Sequence, residues 1–205
     1  MPTPPLRVER LCPARREDFL RFFDHERGPA FADNPEWARC YCHYYHVAKV
    51  LPWKAFTAAE NRTAMTARID TGEQEGFLAY AGEETVGWLN AAPWHKLPHA
   101  CDRMEAARPP HDVPDHAAAA VLCFVIAPAW RRRGVARALL DGALASFAAR
   151  GIRVVDAFPF KAGADPSAAD LYHGPAALFE AAGFVPLAET ADLTVMRRRL
   201  APPGS

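Results

Sequence analysis

The ten residues AAVLCFVIAP, Ala119–Pro128, contain no charged, amide or hydroxyl side chain. A strand with one wet face alternates apolar with polar residues, so a run that is apolar throughout predicts a strand buried on both faces. Pro128 marks its exit. The chain then passes through WRRRGVAR into a helical pattern over about Gly134–Arg150, with Ala136, Leu140, Ala143, Leu144 and Phe147 on one stripe and Gly151 as its stop. IRVVDAF supplies a second buried strand. This β-α-β order predicts a mixed α/β fold with helices on the faces of a sheet.

The remaining segments add to that sheet. LRVER, Leu6–Arg10, alternates like an edge strand, and PARREDFLRFFDHE gives an amphipathic helix with Phe19, Phe22 and Phe23 on one face. A second helix is predicted over Ala55–Ile69. GFLAY and TVGWLNAAP read as a hairpin about Ala81–Glu84. From Trp94 to His116 the four prolines Pro98, Pro109, Pro110 and Pro114 predict a loop with one helical turn at most. Gly174 and Pro175 open a short helix closed by Gly183, and FVPLAE and DLTVMRRRL finish the chain as antiparallel strands. No repeat or linker interrupts residues 1–205, which read as one domain.

Composition narrows the partners. The 24 basic residues balance 24 acidic ones, so no global field draws the protein to nucleic acid or an anionic membrane, and any anion site must be local. No apolar run of about 18 residues exists, and MPTPPLRVER lacks the layout of a signal peptide, giving a cytoplasmic expectation. The five cysteines, odd in number and irregularly spaced, fit reduced thiols. Cys40-Tyr41-Cys42-His43 lacks the second knuckle of a zinc site, so no metal is expected.

The strand-to-helix junction is the chemically pointed feature. The first amides of a helix have no intrahelical partners and carry the positive end of its dipole, so they form an anion site beyond the strand end. Gly134 lets a ligand approach the backbone, Ala136 keeps the next position small, and Arg131, Arg132, Arg133 and Arg137 add charge. Together they suit a pyrophosphate. Neither G-x-x-x-x-G-K-[ST] nor G-x-G-x-x-G is present, which excludes the two commonest phosphate loops.

Phe124-Val125-Ile126-Ala127-Pro128, followed by Arg131-Arg132-Arg133-Gly134-Val135-Ala136, resembles the acetyl-CoA signature of the GCN5-related N-acetyltransferase (GNAT) superfamily. Ala176-Ala177-Leu178-Phe179-Glu180-Ala181-Ala182-Gly183-Phe184 resembles that family's A-x-x-L-Y-x-x-x-G-F segment at a suitable distance. The resemblance implies a mostly antiparallel sheet of about seven strands with a V-shaped splay. It implies acetyl-CoA as cofactor, with residues 117–200 as the cofactor core and 1–116 as the acceptor side. The pantetheine arm would pair with backbone groups of Phe124, Val125 and Ile126, and the pyrophosphate would sit on amides of about Arg132–Arg137, including Val135.

The chain departs from that family where acid chemistry is expected. The tyrosine of the second segment is replaced by Phe179, which remains a cofactor contact only, and Tyr172 stands seven residues before it as a substitute acid or cofactor contact. No acid lies on the signature strand. Asp115, His116 and Asp156 are nearby carboxylates and an imidazole read as structural, and Cys123 reads as a core thiol without an activating partner. Trp37, Tyr41, Arg62, Trp88 and Asn90 are the candidate acceptor residues, in and around an aromatic stretch expected to wall the acceptor pocket. The expected function is acetyl transfer to a primary amine of a small molecule or peptide, by a monomer or homodimer. The alternative is an acyl-CoA-binding sensor without efficient turnover.

Overall fold

A computed structural model describes residues 4–24, 27–161 and 171–201; His25 and Glu26, at the end of the first predicted helix, lie outside them. Seven strands, β1 (Leu6–Arg10), β2 (Phe77–Ala81), β3 (Glu84–Pro93), β4 (Ala118–Ile126), β5 (Val154–Ala157), β6 (Val185–Glu189) and β7 (Thr194–Arg199), form one sheet. Their order is β1-β2-β3-β4-β5-β7-β6. Every neighbouring pair is antiparallel except β4 and β5, whose parallel pairing requires the crossover helix between them.

Helices cover both faces. On one, α1 (Arg16–Phe23) and α2 (Ala58–Asp70) bury Phe19, Phe23, Met65 and Ile69 around Trp88. On the other, α4 (Val135–Ala149) and α5 (Ala176–Glu180) bury Leu139, Phe147 and Phe179 against Phe77 and Leu89. The close approach of α4 depends on Gly87, where an added Cβ would stand 2.8 Å from Val135 Cγ1. Among the described residues no helix is long and apolar enough to cross a membrane.

Three local expectations need correction. The second helix starts three residues later than predicted, because Thr57 and Glu60 close a capping box: Glu60 N–H donates to Thr57 Oγ1 (3.2 Å) while Thr57 N–H donates to the Glu60 carboxylate (2.8 Å). Trp53–Ala55 is a separate 3₁₀ turn. The 94–116 segment holds the short helix α3 (Ala100–Met104) flanked by two 3₁₀ turns, more structure than its prolines promised. The aromatic stretch folds as two 3₁₀ turns, Pro35–Cys40 and His43–His46, joined by Tyr41 and Cys42 in the left-handed region at φ 45° and 56°.

The relation of β4 to β5 positions the site. Only Ala118–Val121 pair with β5, so β4 runs on through five residues without a strand on that side among the described residues. A bulge marks the change: Ala91 faces Val121 but Asn90 faces Cys123, leaving Leu122 as the extra residue. Leu122 and Cys123 consequently enter the same core layer, while Val121 and Phe124 enter the other.

Candidate functional site

The unpaired half of β4 presents main-chain groups to an opening. Ala127 N–H donates to Val86 O (3.0 Å), and antiparallel alternation then turns Val125 and Cys123 towards β3 as well. Phe124 and Ile126 therefore direct their N–H and C=O groups to the side that β5 has left. Val125, expected to offer its backbone as well, lines the cleft, but its main-chain groups belong to the ladder with Trp88. Ile126 O accepts from Arg131 Nε at 3.3 Å.

Beyond Ile126 the chain makes a 3₁₀ turn, Pro128–Trp130, and then places Arg132 (φ 60°) and Gly134 (φ 81°) in the left-handed region. The first bond of α4 runs from Ala138 N–H to Gly134 O (3.0 Å), so the amides of Val135, Ala136 and Arg137 precede the helical ladder and carry its positive end. A Cβ on Gly134 would meet no atom within 4 Å. The glycine is thus required by its backbone angle, and the space above it is open to a ligand.

The arginines do not act as one cluster. Arg131 Nη2 is held by Asp33 Oδ1 at 3.0 Å, and Arg137 Nε by Asp141 Oδ2 at 2.7 Å. Arg133 is exposed and lies over the Trp130 ring, 5.4 Å from its centroid, outside the cleft lining. Arg132 lines the cleft and makes no ion pair among the described residues.

These elements open on a cleft of roughly 890 Å³. It is lined by the Gly134–Arg137 turn with Pro175 and Leu178, and by the aromatic side chains of Trp37, Tyr44, Tyr45, Trp53, Phe23 and Phe31. Cys123, Phe124 and Tyr172 lie along it, and the Tyr172 ring stands 5.3 Å from that of Trp37. Gly174 backs this region, since a Cβ there would come 3.2 Å from ring carbons of both Phe124 and Phe179.

The other predicted acceptor residues lie elsewhere. Trp88 is fully buried with its ring 4.9 Å from that of Phe19, because its side of β3 faces the α1 and α2 layer. Asn90, on the same side, is buried and donates from Nδ2 to Cys42 Sγ at 3.3 Å. Tyr41 and Arg62 both bond Asp24 Oδ1, at 3.3 and 2.8 Å, and neither lines the cleft. Phe179 is buried beneath Phe124, with ring centroids 6.1 Å apart, and is likewise absent from the lining. Arg39, Lys54, Tyr44, Tyr45 and Trp53 do line it. The aromatic density of residues 37–53 signalled such a wall, but no periodicity exists in 3₁₀ turns to select its members.

No Asp, Glu or His lines the cleft among the described residues. Asp156 lies in a buried network with Arg197 and His111, while Asp115 pairs with Arg108 at the surface. Burial, and then the neighbouring Cys42, push the Cys40 thiol up to about 12. Its hydrogen bond with Cys42 and burial raise Cys123 well above the ordinary thiol range, so it stays protonated. Burial opposes ionisation of Cys42, but its hydrogen bonds, including that from Asn90, outweigh burial and lower it. Burial keeps Tyr45 a neutral phenol. Among the described residues no three His, Cys, Asp or Glu side chains gather as metal ligands do.

The family model described as "Acetyltransferase (GNAT) family" matches residues 35–174. Solved structures share the fold at low identity. The GNAT domain of S. lividans PAT is 19% identical with a TM-score of 0.56, covering 95% of this chain and 90% of that one. An acetyltransferase of the GNAT family from Streptococcus pneumoniae is 15% identical, TM-score 0.53, covering 96% and 100%. yncA from Salmonella typhimurium, solved with its cofactor acetyl-CoA, is 13% identical, TM-score 0.53, covering 98% and 96%. No curated protein sequence matches the chain.

Proposed function

The chain belongs to the GNAT family of acetyltransferases, and from that membership we propose that it moves an acetyl group from acetyl-CoA directly to a primary amine. The observation that carries this reading is the continuity of the β4 edge that no described strand covers with the first amides of α4, which precede its helical ladder. An extended amide-bearing arm needs strand groups to pair with, and Phe124 and Ile126 offer them. A diphosphate needs converging donors, and Val135, Ala136 and Arg137 offer amides beside Arg132, which makes no ion pair among the described residues. The open space at Gly134, where even a Cβ meets nothing within 4 Å, leaves room for phosphate oxygens.

When bound, acetyl-CoA supplies an activated acyl thioester. The protein's own work is then positional. Phe124 N–H is one of the main-chain donors facing the opening, in place to stabilise charge on a carbonyl oxygen. Tyr172 is the phenol assigned to hold a proton for the departing sulfur, since Phe179 cannot. No side chain of the lining is assigned as base, so the amine proton leaves through water.

Titration calorimetry with acetyl-CoA tests the cofactor half. Wild type should bind, and Gly134→Glu, which puts a carboxylate where phosphate belongs, should weaken binding at least ~10-fold, about 1.4 kcal/mol. Equal affinities would overturn the assignment. The absence of carboxylate and imidazole from the lining among the described residues favours one second reading, an acyl-CoA-binding sensor. Thiol release over a broad amine panel separates the two: tight binding without release on any amine identifies the sensor.

A further inference from the structure

The aromatic lining of the cleft has a chemistry of its own. Trp37, Tyr44, Tyr45 and Trp53 line it together with Arg39 and Lys54, and Arg39 Nη1 donates to the main-chain carbonyl oxygen of Lys54 at 3.4 Å. No carboxylate answers them within the lining described. Asn61 Nδ2 fixes this turn by donating to Arg39 O at 2.9 Å.

An aliphatic ammonium is poorly served there. Aromatic faces attract cations by about 0.5–1 kcal/mol at exposed sites. Here the face of Tyr44 already holds Arg103, whose guanidinium carbon lies 5.0 Å from the ring centroid. Tyr44 also meets Trp53 and Tyr45 edge to face, and Phe56 stacks on Trp53. Arg39 and Lys54 add repulsion for any ammonium. A lysine-type amine, with pKa about 10.4, is neutral in only about one molecule in 2,500 at pH 7, and no lining carboxylate or imidazole takes its proton. An arylamine has its lone pair delocalised into the ring and is neutral at that pH without help.

We propose that the acceptor is a weakly basic aromatic amine bearing an acidic group, its ring seated among Trp37, Tyr44 and Trp53 and its anion on Lys54 and Arg39. This rests on the acetyltransferase reading for its turnover, but the binding it requires does not. Edge and face contacts of a flat ring suit walls built from tilted aromatic pairs. The two basic groups set its orientation, which turns the amine inward along the cleft.

The probes are 4-aminobenzoate, its 4-(aminomethyl)benzoate homologue, aniline and spermidine. Quenching of tryptophan fluorescence, without acetyl-CoA, measures binding; acetylated product measures turnover. We expect 4-aminobenzoate to bind at least ~10-fold more tightly than spermidine, and to exceed 4-(aminomethyl)benzoate at least ~10-fold in kcat/KM at pH 7, a difference of about 1.4 kcal/mol in each case. Lys54→Glu, an exposed position, should raise KM for 4-aminobenzoate by a larger factor than that for aniline, and an equal change for both would overturn the anion contact. Preference for spermidine in either assay overturns the inference while leaving the acetyltransferase reading intact. Turnover of no amine removes that reading, and the quenching order then decides the acceptor chemistry alone.

Discussion

His173 Nδ1 lies 2.7 Å from the carbonyl oxygen of Leu122, the extra residue of β4 in its ladder with β3 and the first beyond its pairing with β5. Burial pushes this imidazole down to about 4, so its ring is neutral and Nδ1–H donates to Leu122. One side chain thus replaces the strand partner that β5 withdraws, immediately before the open edge begins.

A pH dependence of stability follows. Because the folded pKa lies below the unfolded value near 6.5, the unfolded chain binds the extra proton first, and stability rises with pH. The contribution is complete above about pH 6.5 and is lost as pH falls towards about 4, amounting to about 2 kcal/mol by pH 5. His46, buried and pushed down to about 3, acts in the same direction. Urea unfolding at pH 7 and pH 5 should show the loss, and His173→Gln should reduce it. A difference between the two proteins that does not change with pH would contradict the assignment.

Gly87 controls how closely α4 lies on β3. A Cβ there would stand 2.8 Å from Val135 Cγ1, 3.1 Å from Ile126 Cδ1 and 3.2 Å from Leu139 Cδ1. Gly87→Ala should therefore cost about 1–3 kcal/mol through overpacking. That corresponds to a fall in Tm on the order of 2–10 °C for a domain of this size. Val135 is the first residue of α4, so acetyl-CoA affinity should fall as well. An unchanged melting curve would show that the helix has room to give.

The fold was legible because its strands and its crossover helix carry clear periodicities, and the buried run of β4 and the cap at Gly134 are local signals. What escaped is set by tertiary packing. Trp88 and Asn90 do share one side of β3, as alternation requires, but which layer that side meets depends on where α1 and α2 settle. Likewise the arginines beside Gly134 read as one charge cluster, until Asp33 and Asp141 claim two of them. Asp33 is 98 residues from its partner, a pairing no local pattern announces.

Phe179→Tyr tests whether restoring a tyrosine restores an acid. The ring is fully buried, 6.1 Å from Phe124 and 5.3 Å from Phe184 between centroids, and does not line the cleft. The new hydroxyl would be desolvated without a partner, at about 1–3 kcal/mol. We expect a lower Tm and no gain in thiol release from acetyl-CoA. Faster release would mean that this ring turns into the cleft and that Tyr172 is not the proton donor.

Asp156 distinguishes a structural carboxylate from a catalytic one. It is fully buried, accepts from Arg197 Nε at 2.7 Å and Trp94 Nε1 at 3.1 Å, and has His111 Nε2 at 2.7 Å. Asp156→Asn keeps the shape but removes the charge, leaving the largely buried Arg197 guanidinium uncompensated. Breaking such a pair costs about 3–5 kcal/mol. Stability to urea should drop by that order, whereas kcat, measured well below the new Tm and per folded molecule, should hold. The reverse pattern, a stable protein with its turnover lost, would make Asp156 the base and require a route from it to the cleft, whose described lining contains no carboxylate.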